Sequence, residues 1–178
     1  MQPNNIAAVR VFLRRLSNLE GGVHIHITLV RAAMEDAPAL WQMQRIAFAG
    51  LLETYQDYDT NPGNETLEKV QWRLSLPDTY FYLIRVDGVN AGAIRVVDTH
   101  DGSPKRISPL FVLPAFRGKG VAQSAIREVE RIHGSLGWTL GTILQEQGNC
   151  HLYEKMGYHR TGSTKRINDR MTLVFYEK

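Results

Sequence analysis

Apolar and polar residues alternate through Ile25, His26, Ile27, Thr28 and Leu29, the two-residue period of a strand with one buried face. After it the period lengthens. Leu40, Met43, Ala47, Leu51 and Tyr55 recur at spacings of three and four, with Asp36 as a cap and Pro38 in the first turn, which predicts a helix facing a core. The segment 57–64, DYDTNPGN, supports neither period and predicts a loop. Leu67, Val70 and Leu74 mark a second, shorter helix that must stop before Pro77. Two apolar runs, TYFYLIRV and NAGAIRVVD, flank Asp87-Gly88 and predict a hairpin.

A further strand, RISPLFVL, ends before Pro114 and passes through PAFRGKG into a long helix. Ala122, Ala125, Ile126, Val129, Ile132 and Leu136 are expected to share one face of it. Next come a strand WTLGTIL, a short helix over CHLYEKM halted by Gly157, and two terminal strands, YHRTGSTKRI and MTLVFYEK, that turn at Asn168-Asp169. No segment repeats another. Strands outnumber helices and are partly joined as hairpins, so the expected fold class is α/β, a mixed, mostly antiparallel central sheet with flanking helices in one domain over 23–178.

Length and charge narrow the picture. A chain of 178 residues can bury about 70% of its unfolded surface, so its core needs no disulfide framework and no structural metal. Its one cysteine, Cys150, cannot bridge within the chain. The net charge is +3, but residues 1–22 carry Arg10, Arg14 and Arg15 against Glu20 alone, and the remainder is nearly neutral. That is too even for a nucleic-acid face. In the same stretch Ile6, Val9, Leu13 and Leu16 fall at near-helical spacing. It reads as an N-terminal extension: an amphipathic helix, a frayed tail, an organelle transit peptide or a leader from an overlong gene start. No apolar run approaches the roughly 18 residues of a membrane span. The expected setting is therefore soluble and cytoplasmic, with no nucleic acid and no membrane as partner.

Two constellations are discounted. His24 and His26 share a strand face without a third ligand at diagnostic spacing, so no metal is expected. Cys150 and His151 are helix neighbours that point about 100° apart, so they do not face each other as nucleophile and base.

The stretch Arg117-Gly118-Lys119-Gly120-Val121-Ala122 places two glycines between a strand and a helix. Glycine lets the backbone turn tightly and aim its N–H groups at one point, and the helix dipole adds positive charge there, a site suited to pyrophosphate. A dinucleotide fingerprint would need Gly or Ala where Gln123 stands, and a Walker loop needs Gly-Lys followed by Ser or Thr, which is absent.

The segment does fit R-x-x-G-x-A, and in this it resembles the signature of the GNAT-type, acetyl-CoA-dependent N-acetyltransferases. LFVLPAFRGKGVAQ is similar to that family's fourth strand, turn and pyrophosphate helix, and LYEKMGY resembles its downstream L-Y-E-x-x-G-F segment. The order of the earlier elements agrees, so the similarity covers roughly residues 24–178. The resemblance implies an acyl-CoA N-acyltransferase-like fold, acetyl-CoA as co-substrate and no metal. It further implies that the backbone of Leu110, Phe111 and Val112 pairs with the pantetheine arm, along a strand edge left open by splaying from WTLGTIL. The N–H groups of Gly118, Lys119, Gly120, Val121, Ala122 and Gln123 would hold the pyrophosphate, with the Arg117 and Lys119 side chains beside them. Tyr153 would lie at the thioester sulfur as proton donor, and a backbone N–H near Val112 would face the oxyanion.

One position departs from the family. Many members carry Asn seven residues before this tyrosine, where this chain has Glu146, while Asn149 comes four residues before. Asn149 either caps the short helix or takes over a hydrogen bond to the cofactor. A base is required because an amine of pKa near 10.4 is about one part in a few thousand neutral at pH 7. Glu146 is the first candidate, with Asp98 and His100 as alternatives. The acidic cluster of Glu53, Asp57 and Asp59, interleaved with Tyr55 and Tyr58, falls where this fold lines the acceptor side, and Glu53, Tyr55 and Asp57 are the expected substrate contacts. The expected function is transfer of an acetyl group to a primary amine of a small molecule or peptide by direct attack in a ternary complex. The alternative is a non-catalytic acyl-CoA-binding module of the same fold. The apolar last strand also leaves room for a homodimer.

Overall fold

A computed structural model describes residues 25–178, so the N-terminal extension 1–22 and His24 lie outside the described residues. The strand signals resolve into β1 (Ile27–Arg31), β2 (Thr79–Val86), β3 (Val89–Val97), β4 (Lys105–Val112), β5 (Trp138–Ile143), β6 (His159–Arg166) and β7 (Thr172–Glu177). They form one sheet of order β1-β2-β3-β4-β5-β7-β6, in which every neighbouring pair is antiparallel except β4 and β5. The α-helices among the described residues are α1 (Ala37–Tyr55), α2 (Leu67–Ser75), α3 (Val121–His133) and α4 (Gln147–Lys155).

Local chemistry explains the element ends. Asp87 and Gly88 take φ of +48° and +81°, the left-handed pair that a two-residue hairpin between β2 and β3 needs. Thr66 caps α2 by accepting from the Lys69 N–H. Helices cover both faces of the sheet, which is why TYFYLIRV does not alternate. Phe81 and Leu83 pack with Leu40, Met43 and Val70 of α1 and α2, while Tyr82, Ile84 and Val86 pack with Ala125, Ile126 and Val129 of α3. Phe81 and Phe116 are at most 1% exposed, and burial of each contributes about 1.5–3 kcal/mol.

The apolar stripe of α3 is shorter than its spacing predicts. The helix stops at His133 before Gly134, leaving Ile132 43% and Leu136 77% exposed. Glu130 instead faces inward, because the Tyr158 hydroxyl donates to it at 2.9 Å and Lys178 Nζ at 2.8 and 2.9 Å. The last strand lies inside the sheet. β7 runs between β5 and β6, so its backbone has no free edge for a second copy, and the outer edge belongs to β6, exposed along its length.

One irregularity opens the sheet. β4 and β5 pair only from Lys105↔Trp138 to Ile107↔Leu140. At that level the β3–β4 register slips: Ile94 pairs with Leu110 and Val96 with Ile107, so Ser108 and Pro109 face Arg95 alone. A bulge of this kind bends its strand. Leu110, Phe111 and Val112 keep their pairing with β3 and have none with β5.

Candidate functional site: the cleft between diverging parallel strands

The divergence opens a cleft of about 590 Å³. Its walls are Leu110, Phe111 and Val112 of β4, Ala47, Phe48 and Leu51 of α1, the glycine turn with Arg117 to Gln123 save Lys119, and Glu146, Gly148, Asn149, Leu152 and Tyr153 at the start of α4. Gly118 and Gly120 have φ of +73° and +74°, and a Cβ at either would meet nothing within 4 Å. Glycine is there for the left-handed backbone and not for space. Ser124 is the first residue of the turn whose N–H finds an upstream acceptor, Gly120 O at 3.0 Å. Among the described residues, the six N–H groups from Gly118 to Gln123 reach no protein acceptor. Six free donors at a helix N-terminus bordering a cleft fit a pyrophosphate.

Arg117 fixes the turn: its Nε donates to Val112 O at 2.9 Å and its Nη2 to Ala47 O at 2.8 Å, tying β4 and α1 to the glycines. Lys119 folds back instead, donating to Ala115 O at 3.0 Å, and does not line the cleft.

Tyr153 stands in the cleft wall with its ring against Tyr158 and Tyr176. Its hydroxyl has no hydrogen-bond partner among the described residues. Burial, with a smaller contribution from Cys150, pushes its pKa up to about 12, so it stays a phenol at any physiological pH.

Glu146 precedes α4, and its carbonyl accepts from Asn149 N at 2.9 Å and Cys150 N at 3.1 Å. Its carboxylate Oε1 accepts from the Tyr55 hydroxyl at 2.6 Å, a contact between residues 91 positions apart. Tyr55 closes α1, and Asn168 of the β6–β7 turn donates from Nδ2 to its carbonyl at 2.9 Å. Burial above all, then the bond and charge of Glu146, raises the Tyr55 pKa to about 12, which keeps it the donor of the pair. Glu146 Oε2 has no partner among the described residues. Asn149 makes no capping bond, and its side chain is left to the cleft.

Other expected contacts lie elsewhere. Glu53 is exposed on a separate groove with Arg45, Ile46 and Tyr58, on the outer side of α1. Asp57 is buried and spent on its own loop, accepting from the N–H and hydroxyl of Thr60. Of the acidic cluster and its tyrosines, only Tyr55 is brought to Glu146. Asp98 and His100 line a hollow of about 390 Å³ with His133 and Lys105, away from Tyr153. Burial opposes ionisation of Asp98, but bonds from His133, 2.9 Å away, and from the His100 N–H hold its carboxyl below the usual range. Cys150 is buried with Sγ near the carbonyls of Ile143 and Leu144, outside the cleft lining. Among the described residues no cluster of three or more His, Cys, Asp or Glu is placed to hold a metal, and no helix is long and apolar enough to cross a membrane.

Sequence reasoning missed Ala47, Phe48 and Leu51 as cleft walls, although their helical spacing with Leu40 and Met43 marked the face. It also missed Arg95, whose signal was a lone charge inside an apolar strand run.

Comparison with known proteins bears on this geometry. Among curated proteins, none matches the chain. Solved structures share its fold. An acetyltransferase from Salmonella typhimurium that modifies the N-terminal serine of a 50S ribosomal subunit protein aligns at TM-score 0.66 and 18% identity, over 84% of this chain and 92% of its own. The PaiA N-acetyltransferase of Thermoplasma acidophilum, solved with coenzyme A, aligns at 0.62 and 16%, over 86% and 99%. Spermidine N-acetyltransferase from Vibrio cholerae, solved with CoA and spermine, aligns at 0.66 and 14%, over 84% and 93%. The sequence model of the acetyltransferase (GNAT) family matches residues 42–158, a span that holds the open β4 edge, the glycine turn, Glu146 and Tyr153. With that match over most of its length, the chain belongs to the GNAT acetyltransferase family.

Proposed function

We propose that this protein is an N-acetyltransferase that moves the acetyl group of acetyl-CoA to a primary amine by direct attack in a ternary complex. The observation that carries the reading is that one cleft has as its walls the free β4 edge, a glycine turn and helix start with unpaired N–H donors, a carboxylate with one oxygen free and an unpartnered phenol. Each has a task in this reaction. The edge from Leu110 to Val112 offers main-chain groups to an extended amide-bearing arm, and the glycine turn holds the pyrophosphate. Together they fix the thioester for attack, and the N–H near Val112 faces its carbonyl oxygen.

Glu146 Oε2 takes a proton from the acceptor ammonium, directly or through water, while Tyr55 holds Oε1. The freed nitrogen lone pair forms the new C–N bond as the C–S bond breaks, and the electron pair of that bond leaves on sulfur. Tyr153 donates a hydrogen bond to the departing thiolate. With the phenol near 12 and a thiol near 8.5, complete transfer from Tyr153 is uphill, so a proton shed by the amine ends on sulfur. Cys150 lies outside the cleft lining, which favours direct attack over an acetyl-cysteine route. Acetyltransferases of similar fold act on a ribosomal protein terminus and on spermidine, so fold alone leaves the acceptor open.

The test is calorimetric titration with acetyl-CoA, with ATP and NAD as controls, followed by CoA release in the presence of amines. Saturable binding of acetyl-CoA alone with turnover that collapses in Glu146→Gln supports the reading. Binding without turnover of any amine would make the chain a non-catalytic binding module, and no binding would leave the glycine turn a turn.

A further inference from the structure

Arg95 is a charge in the wrong place for a structural residue. It is 6% exposed in the middle of β3, on the sheet face that packs under α1 and α2 beside Phe81 and Ala93. Its Nε donates to Ser108 O, and its guanidinium carbon sits 5.9 Å from the Phe81 ring centroid. Among the described residues the two terminal nitrogens, with four N–H donors between them, have no acceptor. Neither is sealed, since no buried side-chain nitrogen among the described residues lacks a partner, so both retain a path to solvent.

The surrounding charges make the position worse. Arg73 and Arg106 are the like charges that act on Arg95, and Glu65 is the one carboxylate that opposes them. Glu65 is already engaged by the Arg73 guanidinium through both oxygens and by Gln44 Nε2 at 2.9 Å. Burial first, then Arg73 and Arg106, lower the Arg95 pKa to about 10, still far above neutrality, so the charge remains. A guanidinium buried without a counter-ion is a large cost that a bound anion removes.

Its register says where such an anion would dock. Arg95 faces Ser108 and Pro109 in the bulge, one step past the last β4–β5 pair at Ile107↔Leu140 and one step before Leu110, where the cleft begins. A forked donor on the strand beside that opening can pair with a planar carboxylate through two N–H groups.

Resting on the acetyltransferase reading, we propose that Arg95 is the anion subsite of the acceptor pocket, and that the acceptor is an amino acid whose carboxylate docks on this guanidinium while its amine is acetylated.

Matched pairs test it on the unmodified protein: arginine and agmatine, lysine and cadaverine, histidine and histamine, tyrosine and tyramine, each with acetyl-CoA and a CoA-release assay. In at least one pair the acid should exceed its decarboxylated partner in kcat/KM by roughly 10- to 100-fold, the range of one charge-assisted contact. Arg95→Gln should erase that ratio through KM, leaving acetyl-CoA affinity unchanged, and Arg95→Lys should restore part of it. Ratios at or below one in every pair, no acetylation of any acid, or a preference that survives in Arg95→Gln overturn the proposal. If the decarboxylated amines alone are acetylated, the enzyme reading stands and this inference falls. If acetyl-CoA does not bind, both fall. Should Arg95→Gln fail to fold, the ratio in the unmodified protein still decides.

Discussion

Replacing Tyr153 with Phe removes one oxygen from the cleft and keeps the ring, whose centroid lies 6.2 Å from that of Tyr158 and 6.0 Å from that of Tyr176. The lost hydroxyl has no partner among the described residues, so stability at neutral pH should change by less than about 0.5 kcal/mol. Catalysis should not tolerate the change. A preorganised hydrogen-bond donor to a developing negative charge contributes roughly 10²- to 10³-fold, and we expect kcat to fall about 100-fold, near 2.7 kcal/mol, with acetyl-CoA affinity unchanged. The same oxygen reports at high pH. Burial raises its pKa from 10.0 to about 12, so the folded state keeps a proton that the unfolded chain releases. That contribution is whole below about pH 10 and is lost as pH rises toward 12, on the order of 2–3 kcal/mol. Tyr55, Tyr158 and Tyr176 are also raised, but they are common to both proteins and cancel in the difference. Steady-state CoA release at about pH 7.5, where a phenol of this pKa is fully protonated, and urea midpoints across the alkaline range are the assays. A variant within about threefold of the parent in kcat refutes the donor role. Alkaline stability curves that fall in parallel refute the buried hydroxyl.

Three other perturbations test the scaffold. Gly120→Ala meets no clash but forces an L-residue to φ near +74°, at about 1–2 kcal/mol, and should weaken acetyl-CoA by about tenfold or more in calorimetry as the turn relaxes. Gly92→Ala places a Cβ 2.1 Å from Phe111 O and 3.0 Å from Val112 Cα, both main chain, so β3 must move off β4. Urea unfolding should show a loss of about 2–3 kcal/mol or more. Lys178→Met removes the cation from Glu130, which is 8% exposed, and leaves it the Tyr158 hydroxyl alone; thermal unfolding should record a cost of about 3 kcal/mol.

Much of the frame was legible because its causes are local. The three-to-four spacing of α1, the Asp87-Gly88 hairpin and the stop of α2 before Pro77 each depend on backbone preferences acting within a few residues. The glycine turn was legible for the same reason: positive φ at Gly118 and Gly120 is a property of those residues and of nothing across the sheet. The stripe on α3 failed at Ile132 and Leu136 because its end was decided from outside, by Gly134 stopping the helix and by Tyr158 and Lys178 drawing Glu130 inward. The site itself was decided only by tertiary structure. Whether Glu53, Tyr55 or Asp57 met Glu146 depended on which side of α1 faced the gap between β4 and β5, and only Tyr55, 91 residues away, does. Arg95 looked like any strand arginine until the bulge at Ser108 and two covering helices buried most of it and left its terminal nitrogens without a hydrogen-bonded carboxylate. Sequence patterns encode conformation over a turn or a hairpin; burial, charge pairing and the opening of a sheet arise from segments that meet only after the chain has folded.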